Sequence, residues 1–507
     1  MTRLTSLACL ALPLALAAAA GCSVKDPLFC DATHPCTDPA LAYCDTTGAY
    51  APDHIANTCI ASPFDAAPIC TPGAFDRCDG DTLYRCDATG YAYEPVTCEL
   101  GCSAAAGACR LCTPSSTACT NGTVASCDAN GDVVSSKACP LGCFQDQPRC
   151  TDVDPSNGLA PYLDLTTAVG VDLDLTDGAI IDTSTGAIKN GDGSSVVVTN
   201  TLIAAPANGV PIRVFIVKSA HLRNVRFEST ARPAPAFALV ADGAISVAGS
   251  LDATGYIGTA PGVMAAGPCT GSSGTYINEP NNRTYVMGCG GGGYATSGGA
   301  GGGINNLGGG AGGAAGQAFV NPSLTPLRGG CDGAGYGDGA ESGGGAIQFV
   351  SRTRIDLGAA ATINANGNGG AAPQQTQGGG GSGGGILLEA PEVSLAAGAA
   401  LVANGGGGAS TDNGGSAGLV AAMGAPGGAC AVQTSRCGAG GVGASANAGP
   451  GVGGSADYTN ATNAYVTAGG GGGSVGYVRV NTSTATYTKA SDVIESPAPS
   501  TGTLKTR

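Results

Sequence analysis

A repeated set of three short apolar runs restricts the folds open to the second half of this chain. The copies cover residues 237–255, 347–367 and 386–405. Each copy is rich in Val, Ile and Leu and closes on an apolar residue, a spacer, Ala, Thr or Asn, and Gly. Three strands in roughly 20 residues suit one coil of a parallel β-helix, whose backbone pairs with the coils above and below.

The repeat predicts an all-β domain built as a right-handed parallel β-helix-like solenoid, with a β-sandwich of ordinary hairpins as the alternative. The residues expected to face inward and form one column are Leu251, Ile363 and Leu401. The residues expected to stack at one corner are Thr254, Asn366 and Asn404. Stacked side-chain amides can hydrogen-bond along the stack, and the glycine that follows each would relieve a positive-φ turn.

Short runs rich in Val, Ile and Thr before the first copy also have the pattern of strands. These runs cover residues 162–165, 171–175, 178–182, 196–199, 214–217 and 224–227. No segment keeps the apolar period of an α-helix, so we expect almost no helix after the N-terminal leader.

Glycine accounts for 87 of the 507 residues and is concentrated in excursions between the copies. They span residues 256–345, 368–385 and 406–473, and all leave just after the Thr-Gly or Asn-Gly corner. Insertions at one place of a coil project from one face, so these loops should gather along one side of the solenoid. Because glycine loses much backbone entropy on ordering, the loops are either flexible or packed as extended glycine strands.

A cysteine repeat marks the first part of the chain. Two six-cysteine units, at residues 70–109 and 112–150, have nearly identical spacing, and a shorter relative occupies residues 30–59. The word Cys-Asp-x-x-Gly favours a turn, so a small hairpin is expected in each unit, for example residues 82–86 with 91–98. Units of this size bury too little surface to fold alone, and disulfides would stabilise them.

These cysteines predict disulfides formed in an oxidising compartment, although spacing alone does not fix their partners. The candidates in this region are Cys30, Cys36, Cys44, Cys59, Cys70, Cys78, Cys86, Cys98, Cys102, Cys109, Cys112, Cys119, Cys127, Cys139, Cys143 and Cys150. Zinc is the alternative, but it needs closer Cys or His pairs and reduced thiols. We therefore expect no metal and no cofactor.

Five further cysteines lie in the glycine-rich excursions. They are Cys269, Cys289, Cys331, Cys430 and Cys437. Cys430 and Cys437 are close enough in sequence to pair, and Cys269 with Cys289 is a second candidate pair. Because five is odd, Cys331 or another is unpaired or joins the N-terminal region.

The N-terminus has the layout of an export signal. A basic residue, Arg3, precedes an apolar stretch over residues 4–20, and small residues lead to Cys22. One alternative is a transmembrane helix, for which the apolar run is short. Another is ordinary cleavage, with Cys22 joining a disulfide.

The word Ala-Ala-Gly-Cys at residues 19–22 resembles the lipobox of bacterial lipoproteins, in which the cysteine becomes the lipidated N-terminus. Ala19 departs from the family pattern, which usually has Leu there. The resemblance implies a signal peptide over residues 1–21, a lipid on Cys22 and, with Ser23 next, the outer membrane. Several acyl chains would anchor the chain stably.

Changes in composition divide the rest of the chain. A disulfide-rich region is expected over residues 22–150 and a polar linker over 151–161. The glycine-rich β-solenoid domain would follow over residues 162–490, and a disordered tail over 491–507.

The combination of these parts is similar to a group of exported, glycine-rich and cysteine-rich lipoproteins of myxobacterial type. Beside the lipobox-like word and the cysteine units, the resemblance rests on glycine-rich words at residues 343–347 and 383–387 and Pro-Gly-Gly-Ala-Cys at 426–430. It covers most of the chain and implies export and residence at the cell surface, without implying a reaction.

The charge excludes one class of partner. The net charge of −15 and the absence of any basic run argue against nucleic acid, because phosphate binding needs clustered Lys and Arg. The hypothesis is therefore a surface lipoprotein of the cell envelope with a structural, adhesive or glycan-binding role. Its expected partners are outer-membrane lipid, through the anchor, and polysaccharide or matrix.

The alternative function is a carbohydrate-active enzyme, either a polysaccharide lyase or a glycoside hydrolase, on the same solenoid. Such sites need paired carboxylates, or a base with bound calcium. The candidates are Asp252, Arg354, Asp356, Glu389 and Glu392. The repeat places them at different coil positions, so no catalytic residue is assigned. His221 looks isolated, and Asp172, Asp174 and Asp177 fit a solvated turn better than a calcium site.

Overall fold

The computed structural model describes most of the chain after the leader. The described residues are 28–47, 55–61, 68–110, 113–129, 131, 133–144, 147–206, 209–231, 233–255, 269–308, 310–335, 341–372, 377–431, 436–459, 461–462 and 464–507. The expected signal peptide, the lipidation site Cys22 and the disulfide candidate Cys112 lie outside them. The chain divides into a first unit, Met1–Thr120 with Val124–Lys137, and a second unit, Ala138–Arg507 with Asn121–Thr123.

The first unit consists of short antiparallel strands. They are β1 (Tyr43–Asp45), β2 (Thr58–Ile60), β3 (Phe75–Asp79), β4 (Thr82–Cys86), β5 (Tyr93–Thr97), β6 (Cys102–Ser103), β7 (Ala108–Cys109), β8 (Thr117–Thr120), β9 (Thr123–Cys127) and β10 (Val133–Ala138), with a 3-10 turn at Pro39–Leu41. They form four small sheets, β1-β2, β3-β4-β5, β6-β7 and β8-β9-β10. The hairpin expected at residues 82–86 is confirmed, since β4 pairs antiparallel with β5.

The turn after this hairpin's first strand follows from its sequence. Asp87 accepts hydrogen bonds from the backbone N–H groups of Gly90, at 2.7 Å, and Tyr91, at 3.1 Å. Gly90 has a φ of 84°, which residues with a side chain rarely adopt. The hydroxyl of Thr89, with these N–H groups, lowers the pKa of the Asp87 carboxyl.

Disulfides hold these small sheets together, as their cysteine density predicts. The pairs are Cys30–Cys44, Cys36–Cys59, Cys70–Cys86, Cys78–Cys102, Cys98–Cys109 and, at the start of the second unit, Cys139–Cys150. Cys119, Cys127 and Cys143 are also disulfide-bonded. In the unit at residues 70–109, the first cysteine therefore pairs with the third, the second with the fifth and the fourth with the sixth.

The second unit is built mainly of strands. Its elements are a 3-10 turn (Ser156–Gly158), α1 (Ala160–Val169), β11 (Val171–Asp174), β12 (Ile180–Asp182), β13 (Ile188–Lys189), β14 (Ser195–Val196), β15 (Thr199–Ile203), β16 (Ile212–Leu222), β17 (Val225–Glu228), β18 (Ala236–Ala241), β19 (Ile245–Val247), β20 (Ser250–Asp252), β21 (Tyr276–Glu279), β22 (Arg283–Val286), β23 (Ile304–Asn305), β24 (Ala346–Ser351), β25 (Arg354–Leu357), β26 (Thr362–Asn364), β27 (Gly385–Glu389), β28 (Glu392–Leu395), β29 (Ala400–Val402), β30 (Ala456–Asp457), β31 (Tyr465–Thr467), β32 (Tyr477–Thr482), β33 (Thr488–Lys489), β34 (Ile494–Ser496) and β35 (Ser500–Thr503).

The three runs of each copy pair in parallel with the same runs of the next copy, which gives three ladders. The first ladder is β16-β18-β24-β27-β32-β35. The second is β11, the C-terminal end of β16, β19, β25, β28 and β33. The third is β12-β17-β20-β26-β29-β34. Parallel pairing between successive copies does not fit a sandwich of ordinary hairpins.

The expected inward column is confirmed. On the third ladder, Leu251 lies opposite Ile363, which lies opposite Leu401, and all three are fully buried. On the first ladder, Phe237 packs between Phe215 and Phe349, with ring centroids 5.3 and 6.1 Å apart. Each fully buried side chain of this size contributes about 1.5–3 kcal/mol through removal from water.

The corner residues follow the expectation in part. Asn366 and Asn404 are buried, and the side-chain oxygen of Asn366 accepts a hydrogen bond from the backbone N–H of Asn404, at 2.6 Å, and not from its side-chain amide. Asn366 donates to the carbonyl of Gly418, and Asn404 donates to the carbonyls of Leu419 and Ala421. The amides therefore connect the corner to the glycine-rich excursion.

The expected positive-φ turn at the corner glycines is wrong. Gly255, Gly367 and Gly405 do not have positive φ angles. A Cβ atom would lie 2.1 Å from the Gly381 carbonyl oxygen at position 367, and 2.0 Å from that of Gly473 at position 405. Close approach of a neighbouring backbone, and not turn geometry, requires glycine here.

The glycine-rich excursions are ordered and packed against one another. Segment 469–474 shows the pattern: Gly469 and Gly472 donate to segment 451–454, Gly470 and Gly473 to segment 406–409, and Gly471 and Ser474 to segment 289–292. Each segment thus donates to three neighbours in turn with a period of three residues. This is the period of a polyproline II helix, which has no internal hydrogen bonds.

Segment 288–293 repeats this pattern. Its backbone N–H groups donate in turn to segments 299–302, 377–380 and 269–272, and its carbonyl groups accept from segments 313–316 and 471–474. At an outer segment, exposure follows the same period, since Ala311, Ala314 and Gln317 are exposed while Gly313 and Gly316 are buried. We call this set of hydrogen-bonded segments the glycine bundle.

Three expectations about the ends of this unit are wrong. Residues 162–165 lie in α1 and not in a strand, because Leu163 is fully buried against the outer side of the first ladder. Residues 151–161 are not a solvated linker, since Val153 and Leu159 are fully buried. The tail over 491–507 is ordered, because β34 and β35 extend the third and first ladders.

Candidate functional site

A row of polar side chains crosses the outer side of the second ladder. Its members, in register on neighbouring strands, are Asp174, His221, Ser246, Asp356, Ser394 and Thr488. Inward residues of the same strands, such as Ile355 and Leu395, are buried in the core. Because successive side chains of a strand point to opposite faces of the sheet, the polar row faces solvent. Each of its members is exposed or half-buried.

His221 was expected to be isolated, and that expectation is wrong. Its Nδ1 lies 2.5 Å from the Ser246 hydroxyl, and Arg223 Nε donates to its Nε2 at 2.8 Å. The tautomer in which Nε2 accepts from Arg223 has its proton on Nδ1, which then donates to Ser246. The Ser246 hydroxyl in turn donates to the Ala220 carbonyl at 3.3 Å.

This arrangement does not activate Ser246 as a nucleophile. A general base must accept the serine proton, but the nitrogen that faces Ser246 carries a proton of its own. Arg223 holds the imidazole in this tautomer. The pair therefore offers fixed hydrogen-bonding groups and not a catalytic dyad.

Asp356 is the charged centre of the polar row. It accepts a hydrogen bond from Ser394 at 2.6 Å and forms an ion pair with Arg354, whose Nε lies 2.9 Å from its carboxylate. Both partners are on the same face, and the ion pair is largely exposed. Asp356 therefore remains accessible for further hydrogen bonds.

The other acidic candidates are separated by the fold. Asp252 lies on the third ladder, where Thr254 and Asn364 donate to it. Glu389 is buried on the first ladder, while Glu392 lies on the second ladder opposite Arg354. Asp252 and Glu389 therefore lie on different ladders from the polar row, whereas Glu392 lies on the strand next to Asp356, on the same face and offset by two residues.

The three early aspartates do not gather into a calcium site. Asp172 accepts from Ser219 at 2.6 Å, and Asp177 accepts from Asn224 at 3.0 Å. Within the described ranges, the one group of side chains with metal-ligand spacing is Cys30, Cys36 and Cys44. These sulfurs are in disulfides and are not available as thiolate ligands.

Glu389 is the centre of a buried polar cluster. It accepts hydrogen bonds from the Ser156 hydroxyl at 2.8 Å, from Gln348 at 2.7 Å and from Asn481 at 3.1 Å. Burial raises the pKa of Glu389, although these hydrogen bonds act in the opposite direction. The cluster fastens the segment before α1 to the first ladder.

A network of ion pairs joins the two ends of the second unit. Arg352 donates to Asp152 and Asp242, each at 2.8 Å, and Arg507 bonds to Asp152 and Asp164. Burial opposes ionisation of Asp152, but the bonds from Arg352 outweigh it and lower the pKa of Asp152. This network and the Glu389 cluster stabilise the fold and lie away from the polar row.

The cysteines of the excursions pair differently from the expectation in one case. Cys430 pairs with Cys437, in agreement with their close spacing. The candidate pair Cys269–Cys289 is wrong, since Cys269 pairs with Cys331 and Cys289 is a free, buried thiol. Spacing misled here because the glycine bundle brings segments distant in sequence together.

Comparison with known proteins yields no relative, since no protein family, no curated protein and no solved structure matches this chain. The fold and the polar row therefore carry the functional argument. Among the described residues, no helix has the length and apolar character needed to cross a membrane. The disulfides are typical of proteins in an oxidising, extracytoplasmic compartment.

Proposed function

We propose that this chain is a surface lipoprotein of the cell envelope that binds polysaccharide or another extended matrix polymer along the polar row. Its lipid would be carried on Cys22 and would anchor the protein in the outer membrane. Acyl chains on the peptide that begins at Cys22, measured by mass spectrometry, would support the anchor. A mature chain that begins elsewhere would count against it.

The proposal treats the three ladders as the faces of a right-handed parallel β-helix. Neighbouring strands in such a stack are about 4.8 Å apart, so the polar row would present hydrogen-bonding groups at regular intervals. A polysaccharide also repeats its hydroxyl groups along an extended chain. The regular row therefore suits a repeating polymer better than a compact small molecule.

The observation that carries the proposal is the register of His221, Ser246, Asp356 and Ser394 on four successive strands. Carboxylate, imidazole and hydroxyl groups can accept from or donate to sugar hydroxyls. The fixed tautomer of His221 and the charge of Asp356 define which groups donate and which accept. These hydrogen-bonding groups support a binding role for the polar row.

The test is binding to a panel of purified polysaccharides by the wild-type chain and two variants. We expect the double variant His221→Ala with Asp356→Ala to bind at least about tenfold more weakly, because two polar contacts worth roughly 1 kcal/mol each are lost. The matched control is Arg226→Ala, which changes an exposed residue of an ion pair on the third ladder. Its affinity should equal that of the wild type.

Two outcomes would contradict this function. The first is the absence of binding to every polysaccharide tested. The second is an equal loss of affinity in the Arg226→Ala control, which would place the binding surface elsewhere. Release of shorter sugars during the assay would instead favour the alternative, a carbohydrate-active enzyme.

A further inference from the structure

Arg328 is a buried cation with an unusual environment. Only 2% of the residue is exposed, and its Nε has no hydrogen-bond partner. Its Nη2 lies 3.2 Å from the Cys331 sulfur and 3.3 Å from the Cys269 sulfur, and these two cysteines form a disulfide. The sulfurs are the only hydrogen-bond acceptors that face the guanidinium in the described part of the chain.

In the described ranges no carboxylate compensates this charge. Among the described residues, none of the ion pairs includes Arg328. The Phe319 ring lies 3.9 Å from the guanidinium carbon and the Tyr294 ring 5.4 Å from it. Such stacking offsets part of the loss of hydration, but it does not supply an anion. Tyr294 stays neutral, because burial raises the pKa of its hydroxyl.

A buried charge without a partner is costly, and a disulfide sulfur is only a weak acceptor. Breaking the disulfide would change this, because a cysteine thiolate at the same place is a full anion. A basic neighbour stabilises a thiolate and lowers the pKa of its cysteine. A reduced form that is stabilised in this way makes its disulfide more oxidising.

We propose that Cys269–Cys331 is a redox-active disulfide, and that Arg328 is the counter-ion that stabilises its reduced form. A dithiol reductant would supply both electrons and become a disulfide itself as the Cys269–Cys331 bond breaks. One cysteine would remain a thiolate paired with Arg328, while the other takes one proton from the dithiol. The second proton of the dithiol goes to water.

Reduction would act on the glycine bundle. The disulfide joins residues 62 positions apart, and segments 269–272 and 331–334 both contact segment 288–293. Breaking it would remove the covalent link between two segments of the bundle. Because both sulfurs are buried, the rate of reduction depends on how often the surrounding structure opens to the reductant. The equilibrium between the disulfide and its reduced form instead measures the effect of Arg328.

The first experiment equilibrates the full chain with mixtures of reduced and oxidised dithiothreitol. Alkylation followed by peptide mass spectrometry then measures the reduced fraction of each disulfide. We expect Arg328→Met to make reduction of Cys269–Cys331 about tenfold less favourable, which is about 30 mV for a two-electron couple. Arg328→Lys keeps the charge and should retain most of the wild-type value. An unchanged or more easily reduced disulfide in Arg328→Met would overturn the proposal.

The same chain contains an internal control. In the described part of the chain no Arg or Lys side chain donates to the sulfurs of Cys430–Cys437, and Asp412 lies 3.9 Å from the Cys437 sulfur. The reduced fraction of Cys430–Cys437 at equilibrium should be the same in the wild type and in both Arg328 variants. That result would mean that the substitutions act only on the neighbouring disulfide.

A second measurement needs only the wild-type chain, so it tests the proposal even if Arg328→Met does not fold. The rate of alkylation of Cys269 and Cys331 in the reduced chain is followed against pH, peptide by peptide. We expect at least one of them to titrate well below the ordinary cysteine pKa of about 8.5. Titration of both at or above that value would overturn the proposal.

Discussion

At the scale of single residues, Glu389 shows how the fold accommodates a buried carboxyl group. Ser156, Gln348 and Asn481 all donate to it, so its oxygens are satisfied. Burial nevertheless disfavours the charge more than these bonds favour it, and the pKa of Glu389 is raised. The folded chain as a whole is therefore more stable, relative to the unfolded chain, when this carboxyl is protonated.

This gives a prediction for the dependence of stability on pH. A carboxyl whose pKa is higher in the folded than in the unfolded chain stabilises the fold fully below its unfolded pKa of about 4.3, and this contribution is lost as the pH rises through the folded pKa. The variant Glu389→Gln has no such titration. The free energy of unfolding of the wild type should therefore fall relative to the variant between about pH 4 and neutrality.

Unfolding in denaturant at a series of pH values measures this difference. A rise in the free energy of unfolding of the wild type relative to Glu389→Gln with increasing pH would contradict the account. It would mean that the charged form of Glu389 stabilises the fold more than the protonated form. Many groups titrate over the same range in both proteins, and comparison with the variant removes their common contribution.

Single residues also show what the sequence could and could not reveal. The column of Leu251, Ile363 and Leu401 follows from the repeat, because equivalent positions of a parallel stack face the same way. The contact between His221 and Ser246 could not be predicted, since it depends on the register of β19, in the first copy, against β16, which precedes the copies. The role of Arg328 could not be predicted, because its contact with Cys269 depends on a segment distant in the sequence, although Cys331 is only three residues away.

At the scale of elements, the glycine segments have a structure of their own. Their hydrogen bonds run to three neighbours in turn, so successive residues face different segments. Neighbouring backbones can approach this closely only when no Cβ atom lies between them. The long glycine runs are therefore a packing requirement of the bundle, and not a sign of flexibility.

A substitution inside the bundle tests this requirement. At Gly471 a Cβ atom would lie 2.0 Å from the carbonyl oxygen of Gly299, so backbone must move. We expect Gly471→Ala to lower the free energy of unfolding by at least about 1–3 kcal/mol, the usual cost of overpacking. The matched control is Gly449→Ala in the same excursion, where a Cβ atom would meet nothing within 4 Å.

Thermal and denaturant unfolding of both variants and the wild type measure these effects. The control should remain within about 0.5 kcal/mol of the wild type, as for most surface substitutions. Equal stability of Gly471→Ala and the wild type would show that the segments are not packed against each other.

Elements at the ends of the second unit were the least predictable. The polar strand Ser500–Thr503 carries no apolar pattern, and it is ordered because β32 offers it an open backbone edge. Likewise, α1 buries few of its residues, with Leu163 and Thr166 facing the ladder. The local sequence predicts neither element, because tertiary contacts stabilise both.

At the scale of the whole molecule, the second unit combines two kinds of backbone pairing. The ladders bury Val, Ile, Leu and Phe between parallel strands, whereas the glycine bundle buries backbone against backbone. The corner amides of Asn366 and Asn404 connect the two by donating to carbonyls of the excursion. The outer side of the second ladder remains available, and it carries the polar row on which the proposed function depends.

The division into a cysteine-stabilised part and a strand-rich part could be predicted from composition and spacing. That the glycine excursions are ordered could not be predicted, because glycine runs are equally compatible with a flexible chain. Their ordered packing depends on contacts among many segments, and no single run has an apolar pattern that would indicate it.

Amide hydrogen exchange of the full chain is the most direct test that the excursions form an ordered bundle standing on parallel ladders. The account predicts that the amides of segments 288–293 and 469–474 exchange as slowly as those of β24 and β27, because all of them donate buried backbone hydrogen bonds. Exchange of these glycine amides at the rate of unstructured peptide, with the ladder strands still protected, would contradict it.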